Sequence, residues 1–478
     1  MRLTTRVQVS GVRFLLRRLE HAIVRGNTAM WDDPARFYSR ATMLGVAISL
    51  VICMAAGLLS WLKPQGTASG YQVVADTNSG ELFVLEPNSS ELHPVYNLTS
   101  ARLIAGQPDN PRRVKTSELD RYHRTQTVGI PGAPYNTAVN QNQTGHWAIC
   151  DTAKHPDSTT STVDVSVLAD PPEQNADTAQ GLASGQAALV SYLGHNYLID
   201  SAGRHSIDLA NSAITSAINL PPATPTTIPI SEALYNALPA ADPVALPPIG
   251  AAGDPNPFGL DPAIRVGTVI TDTAAGNEHQ DYVVLVDGLA KINSVTAAAL
   301  RNTNSYGFIT PPALPADRIA AIPSRSYASP LQPVTVIDRA AAPVLCWAWT
   351  KSSTDTAPPA MVVLTGKQVP VAANRLGVGI QQITTPLTVY QQGGRFVQII
   401  GPTDKGENKF YISPTGVRFG VNDPDSVHAL GLSNAQPAPW AAVRLLAAGP
   451  DLTKKAALLE HDTLPDDPTP RPITTGHR

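Results

Sequence analysis

A chain of 478 residues with 43% apolar and only 15% charged side chains can bury two or three domain cores. Its 43 prolines argue for turns and short extended elements, against a helical bundle. The formal net charge of −3 is unevenly spread: residues 1–40 hold eight arginines, no lysine and three acids (+5), leaving −8 for the rest, which excludes nucleic-acid binding as the business of the larger part.

The first element reads as a helix over residues 10–25. Val12, Leu15, Leu16, Leu19 and Ile23 recur every three or four residues and form one apolar stripe, with Ser10 as the expected N-cap. Arg13, Arg17, Arg18, Arg25 and His21 take the other side. Such a segment either lies on anionic lipid, arginines outward, or docks its stripe on a partner; periodicity leaves both open. Met30, Trp31, Phe37 and Tyr38 follow as expected interfacial anchors.

Residues 41–62 carry no charge and end at Lys63-Pro64. At a rise of 1.5 Å this run reaches about 33 Å, against roughly 30 Å of bilayer hydrocarbon. A signal peptide is the rival, but it starts nearer residue 1 with a shorter apolar stretch, so a retained anchor is the expectation. The arginine excess before the span predicts a cytoplasmic N-terminus, with residues 63–478 outside. Cys53 falls inside the span, which leaves Cys150 and Cys346 as the thiols on the side where disulfides persist. Both sit in apolar, aromatic strands (His146-Trp-Ala-Ile-Cys150 and Leu345-Cys346-Trp-Ala-Trp349) that could lie side by side. A disulfide is favoured; metal binding is the alternative, although no His or Cys stands at ligand spacing around either.

Beyond the span an internal repeat is visible in the order of its elements: apolar strand, Gly or Asn/Asp turn, second strand, Ala-containing helix, Pro-rich bend, short helix. The four copies are expected at residues 70–126, 196–255, 265–329 and 406–458. Stretches 127–195 and 330–405 are richer in β-formers and hold one outer cysteine each. They predict a central β-domain built from two discontinuous pieces, with the second and third repeats inserted between them. Residues 459–478 form a Pro-rich tail, extended or disordered from Leu464 on. The fold class is therefore a single transmembrane helix plus a large α+β extracytoplasmic domain, four small repeats around a central β-rich domain.

No catalytic constellation stands out. The segments around Lys367 and at 401–409 lack both the glycine spacing and the hydroxyl after lysine that a phosphate-binding loop needs. Gly-x-Ser-x-Gly is absent, and His123, His146, His195 and His205 show no zinc spacing. The pairs Asp423/Asp425 and Asp466/Asp467 lie in turn or tail contexts; Asn88, Asn97 and Asn142 match the glycosylation pattern Asn-x-Ser/Thr.

The run Gln8-Val-Ser-Gly-Val-Arg-Phe-Leu-Leu-Arg-Arg-Leu-Glu-His-Ala-Ile-Val-Arg25, then Asp32-Asp-Pro and the span, resembles the EccB family of type VII (ESX) secretion systems, most like the ESX-1 type. His93-Pro-Val-Tyr-Asn-Leu-Thr-Ser-Ala-Arg102, Gly129-Ile-Pro-Gly-Ala-Pro134 and Leu459-Glu-His-Asp-Thr-Leu-Pro465 are similar to the same family. The resemblance implies an inner-membrane complex with the ATPase EccC, with EccD and with EccE, and self-association of the outer domain. It also implies a Cys150–Cys346 disulfide, with peptidoglycan and the mycosin protease as further contacts. The family carries an ATPase label, so ATP enters only through the resemblance; the residues themselves call for no cofactor.

Overall fold

The computed structural model describes residues 5–26, 28, 34–62, 68–86, 90–139, 142–155, 161–220, 227–273, 279–328, 331–381, 386–401 and 406–464. Met30, Trp31, Asn88 and the tail from 465 onward lie outside them. The chain divides into two compact units, Met1–Ser69 and Gly70–Arg478.

Among its described residues the smaller unit holds two helices. Arg6–Arg25 starts four residues earlier than its apolar stripe suggests. Thr5, not Ser10, is the N-cap, and its N–H donates to Gln8 Oε1 at 3.1 Å as half of a capping box. Ser10 lies inside the helix, its hydroxyl donating to Val7 O at 3.0 Å. The β-branched Val7 and Val9 obscure that first turn, since such residues do not announce a helix by propensity. Gly26, at φ 63°, closes the helix in the left-handed conformation that glycine adopts without strain. The second helix, Pro34–Leu62, opens on a proline, whose missing N–H has no partner to lose there. Its apolar window, Phe37–Leu59, has 23 residues and a mean hydropathy of 2.3. It begins before the charge-free run because Phe37 and Tyr38 supply apolar rings and the flexible stem of Arg40 can carry its charge toward the interface.

The larger unit is built from one pattern used four times. In the first repeat, Val73–Asp76, Leu82–Leu85 and Glu91–Pro94 form an antiparallel meander. Helix Leu98–Ala105 leads to Arg112–Val114, parallel beside the first strand; helix Thr116–Leu119 leads to His123–Arg124, parallel beside the third. The third repeat, from Val269–Asp272 to Ser324–Arg325, and the fourth, from Arg395–Ile400 to Ala447–Ala448, have the same strand order. The second begins at Gln186–Tyr192, and its last strand is reduced to bridges from Arg204 to Ala240 and from Ile207 to Val244. An Asx side chain starts the first helix of every copy. Asn97 accepts from Ser100 N–H at 2.8 Å, Asn211 from Ile214 at 3.3 Å, Asn293 from Thr296 at 2.7 Å and Asp423 from Ser426 at 3.1 Å.

A seven-stranded central sheet runs in the order Val378–Gln381, Pro386–Tyr390, Thr162–Leu168, Thr144–Lys154, Val344–Ser352, Ala360–Gly366, Ala179–Gly181. Its strands come from two stretches separated by the second and third repeats. Three boundaries differ from expectation. Residues 186–192, read as central, pair with His195–Ile199 in the second repeat; residues 395–400, also read as central, are the first strand of the fourth. The reason is burial: Ala188, Val190, Val397 and Ile399 share one core with Trp147 and Trp347 of the central sheet, so their apolar pattern reads the same for either owner. Thr127–Val128 also leaves the central domain, pairing with Glu460–His461 of the tail.

At the heart of the sheet, Thr144–Lys154 and Val344–Ser352 pair antiparallel, Thr152 opposite Val344 through Thr144 opposite Ser352. The period of two sorts the side chains. Trp147 faces Trp349 and Ile149 faces Trp347 on one side, where Leu234 of the second repeat and Val443 of the fourth complete the core. On the other side Cys150 faces Cys346, and the two are joined in a disulfide beside Ala148, Leu168 and Leu364. The repeats also cover one another. Ile214 and Ile218 of the second meet Val295 and Ala299 of the third, and Leu103 of the first joins Phe396, Tyr411 and Leu430 of the fourth. Units this small cannot close a core alone, and this pairing supplies one.

The disulfide closes a separation of 196 residues. In the chain-entropy account a loop of that length contributes about 5 kcal/mol, and usually less is realised. Reduction is expected to lower the denaturant midpoint of unfolding while leaving the folded circular-dichroism signal intact. A midpoint indifferent to reductant would contradict that contribution.

Candidate assembly site

Two groups of residues stand out, one on each unit. Helix Arg6–Arg25 buries none of its side chains. Val12, Leu15, Leu16, Leu19 and Ile23 are 57%, 62%, 55%, 57% and 75% exposed, far barer than a folded protein leaves a contiguous apolar stripe unless lipid or a partner covers it. Arg13, Arg17, Arg18 and Arg25 are exposed as well. At 100° per residue, Val7, Phe14 and Val24 fall among the arginines, so the basic face is itself partly apolar, a feature the stripe alone does not reveal.

On the larger unit, buried polar groups tie the repeats to the central sheet. Asp151, adjacent to Cys150 and fully buried, accepts from Ser231 N–H at 2.6 Å and from Ser231 Oγ–H at 2.7 Å. Ser231 Oγ in turn accepts from Leu234 N–H at 3.1 Å, capping helix Glu232–Ala237. The carboxylate thus holds the second repeat's second helix by its cap. Burial pushes the Asp151 carboxyl up to about 6, although Ser231 and the nearby Arg339 oppose the shift. Arg339 is buried too, which pulls it down to about 10; its Nη2 donates to Pro343 O at 2.9 Å while Nε and Nη1 have no hydrogen-bond partner among the described residues. Sequence reasoning passed over this site. Its one signal is an acid inside an otherwise apolar strand, Ala148-Ile-Cys-Asp151.

A second lock centres on Asp170, which accepts from Arg375 Nη1 at 3.0 Å and from Arg395 Nη2. It fastens the end of strand Thr162–Leu168 to the first strand of the fourth repeat. Burial lowers the pKa of Arg395, and Asp170 offsets part of that; His146 is lowered by burial and then by Arg395. His205 sits between Asp200 Oδ1 at 3.1 Å and Asp242 O at 2.7 Å, and the Asp200 contact raises its pKa. It is a bonded structural histidine.

Open clefts of about 400 and 320 Å³ lie where the fourth repeat meets the central hairpin (Lys351, Asp355, Gln398) and the first repeat (Leu103, His428, Lys454). Among the described residues no three His, Cys, Asp or Glu side chains converge as a metal would require. Asp423 is a helix cap, and Asn97 is a buried cap whose Nδ2 donates to Ile130 O at 3.1 Å, which removes it as a glycan acceptor.

One membrane-length helix joined to a repeat-built unit braced on a single sheet defines a membrane-anchored scaffold. The family model for "Type VII secretion system ESX-1, transport TM domain B" matches residues 1–466. The chain is 48% identical to "ESX-1 secretion system ATPase EccB1" of Mycolicibacterium smegmatis (strain MKD8), over 99% of each sequence. It is also 48% identical to the protein of that name from Mycobacterium tuberculosis (strain ATCC 25618 / H37Rv), over 100% of this chain and 98% of the relative. Among solved structures, a chain of "Structure of an intact ESX-5 inner membrane complex, Composite C3 model" superposes with a TM-score of 0.77 at 31% identity, covering 99% of this chain and 98% of that one. A chain of "Structure of EccB3 dimer from the ESX-3 core complex" gives 0.71 at 36% identity, covering 81% and 100%. The chain belongs to the EccB family, and it is an inner-membrane component of a type VII secretion complex.

The Asp151 geometry makes a pH prediction. Its folded pKa lies above the unfolded value of roughly 4, so its contribution is full below about 4 and is lost as pH rises through about 6. Asp151→Asn removes the titration. Between pH 4.5 and 7 the variant's unfolding midpoint is expected to fall less than that of the unsubstituted chain; equal pH dependence would refute the assignment.

Proposed function

We propose that this chain is the structural strut of its secretion complex, with the N-terminus in the cytoplasm and the repeat-built unit on the far side of the inner membrane. The Arg excess ahead of the span supports that orientation. The observation that carries the docking role is the bare stripe of Val12, Leu15, Leu16, Leu19 and Ile23 just ahead of the anchor. Its partners on this reading are the EccC-type ATPase, EccD and EccE, which it holds at the membrane. The larger unit self-associates, as EccB3 of the ESX-3 core complex does in its solved dimer.

Leu15→Glu with Leu19→Glu places two charges on the stripe. Co-purification with EccC and EccD is expected to fall at least tenfold while membrane fractionation is unchanged. Undiminished recovery of both would contradict partner docking and leave lipid as the cover of the stripe. On this reading the chain contributes structure, and it carries no Gly-x-x-x-x-Gly-Lys-Ser/Thr segment. ATP turnover by the purified chain, abolished by one point substitution, would overturn that.

A further inference from the structure

The central sheet has an unblunted edge. Its terminal strand, Val378–Gln381, pairs with Pro386–Tyr390 and with no other described strand. Leu376, just before it, is 90% exposed and Val378 is 38% exposed. A Cβ built on Gly379 meets nothing within 4 Å, so the sheet face at that residue is uncovered. Residues 376–380, Leu-Gly-Val-Gly-Ile, contain no charge and no proline. Folded proteins ordinarily protect such edges with lysine, proline, a bulge or a covering element, because an open row of N–H and C=O groups recruits another strand. The first, third and fourth repeats obey that rule, ending in parallel strands of two or three residues, and the second covers its outer strand with the bridges at Ala240 and Val244.

We infer that residues 376–380 are a strand-pairing surface for a second copy of this chain, joined antiparallel across a two-fold axis. A strand laid against its own copy in this way is self-complementary, each residue meeting the mate that meets it. The neutral strip has no charge with which to select a different partner; Arg375, the nearest, is engaged by Asp170. Leu376 and Val378 would cover their counterparts. The inference rests on the self-association proposed above and assigns it a surface. Five residues a side bury too little to hold a dimer unaided, so proximity is the informative readout.

The test uses the full chain in native membranes, with Cys53→Ser as background and the Cys150–Cys346 bond intact. Single cysteines replace Leu376, Val378, Gly379 and Ile380, with Met361→Cys, an exposed residue near the other end of the sheet, as control. Mild oxidation and a non-reducing gel are expected to show dimer at one or two adjacent strand positions, at least fivefold above the control. Dimers trapped by an amine cross-linker without enrichment at any strand position would overturn the surface and leave self-association standing. No dimer with either reagent would overturn both. A cross-link between Val378→Cys and Met361→Cys in mixed copies, without self-links, would replace the two-fold by a head-to-tail arrangement and also refute the inference.

Discussion

The larger unit depends on one strand pair. Thr144–Lys154 and Val344–Ser352 lie nearly 200 residues apart in sequence, and between them come two further strands of the same sheet and then the second and third repeats. Bringing such distant segments together costs loop entropy before any contact forms. The pair recovers it by burying tryptophans on one face and forming a covalent bond on the other. Trp147, Trp347 and Trp349 present the large apolar surface on which two repeats settle, and Cys150–Cys346 forbids the strands from separating.

That arrangement explains why the repeats can be so small. Each contributes a meander and two short helices, too little to enclose a core, and each borrows from a neighbour. The second and fourth lean on the central sheet, while the third leans on the second and the first on the fourth. Polar groups then fix orientation where apolar packing would allow sliding. Asp151 grips the cap of one helix, and Asp170 draws Arg395 into the end of the sheet. Buried charges of this kind add little net stability, but breaking one partner away leaves an uncompensated charge, so they hold the units in one register. In an inner-membrane component of a secretion complex, such bracing fixes the larger unit's repeats against one sheet.

The anchor was legible in the sequence because a water-soluble core seldom demands a charge-free run as long as a bilayer is thick. The cysteine pair was legible because the anchor removed the third thiol from consideration. The discontinuous sheet followed from β-rich stretches holding one cysteine each. Residues 186–192 and 395–400 were not assignable, since strands buried in a shared core carry no mark of which sheet owns them. A better signal was present and missed: Asn97, Asn211, Asn293 and Asp423 cap the same helix in every copy, a chemical constant where apolar identities drift. Ser10 misled because an N-cap type residue also sits comfortably within a helix by bonding back to a carbonyl. Asp151 and Asp170 were invisible, as their partners Ser231, Arg375 and Arg395 come from distant segments that only the fold brings near.

Native-state hydrogen exchange followed residue by residue tests the central claim most directly. The account predicts that amides of Thr144–Lys154 and Val344–Ser352 exchange together, as one cooperative unit and slowest in the larger unit. Faster exchange there than in the repeats, or separate opening of the two strands, would show that the repeats hold the sheet rather than the sheet the repeats.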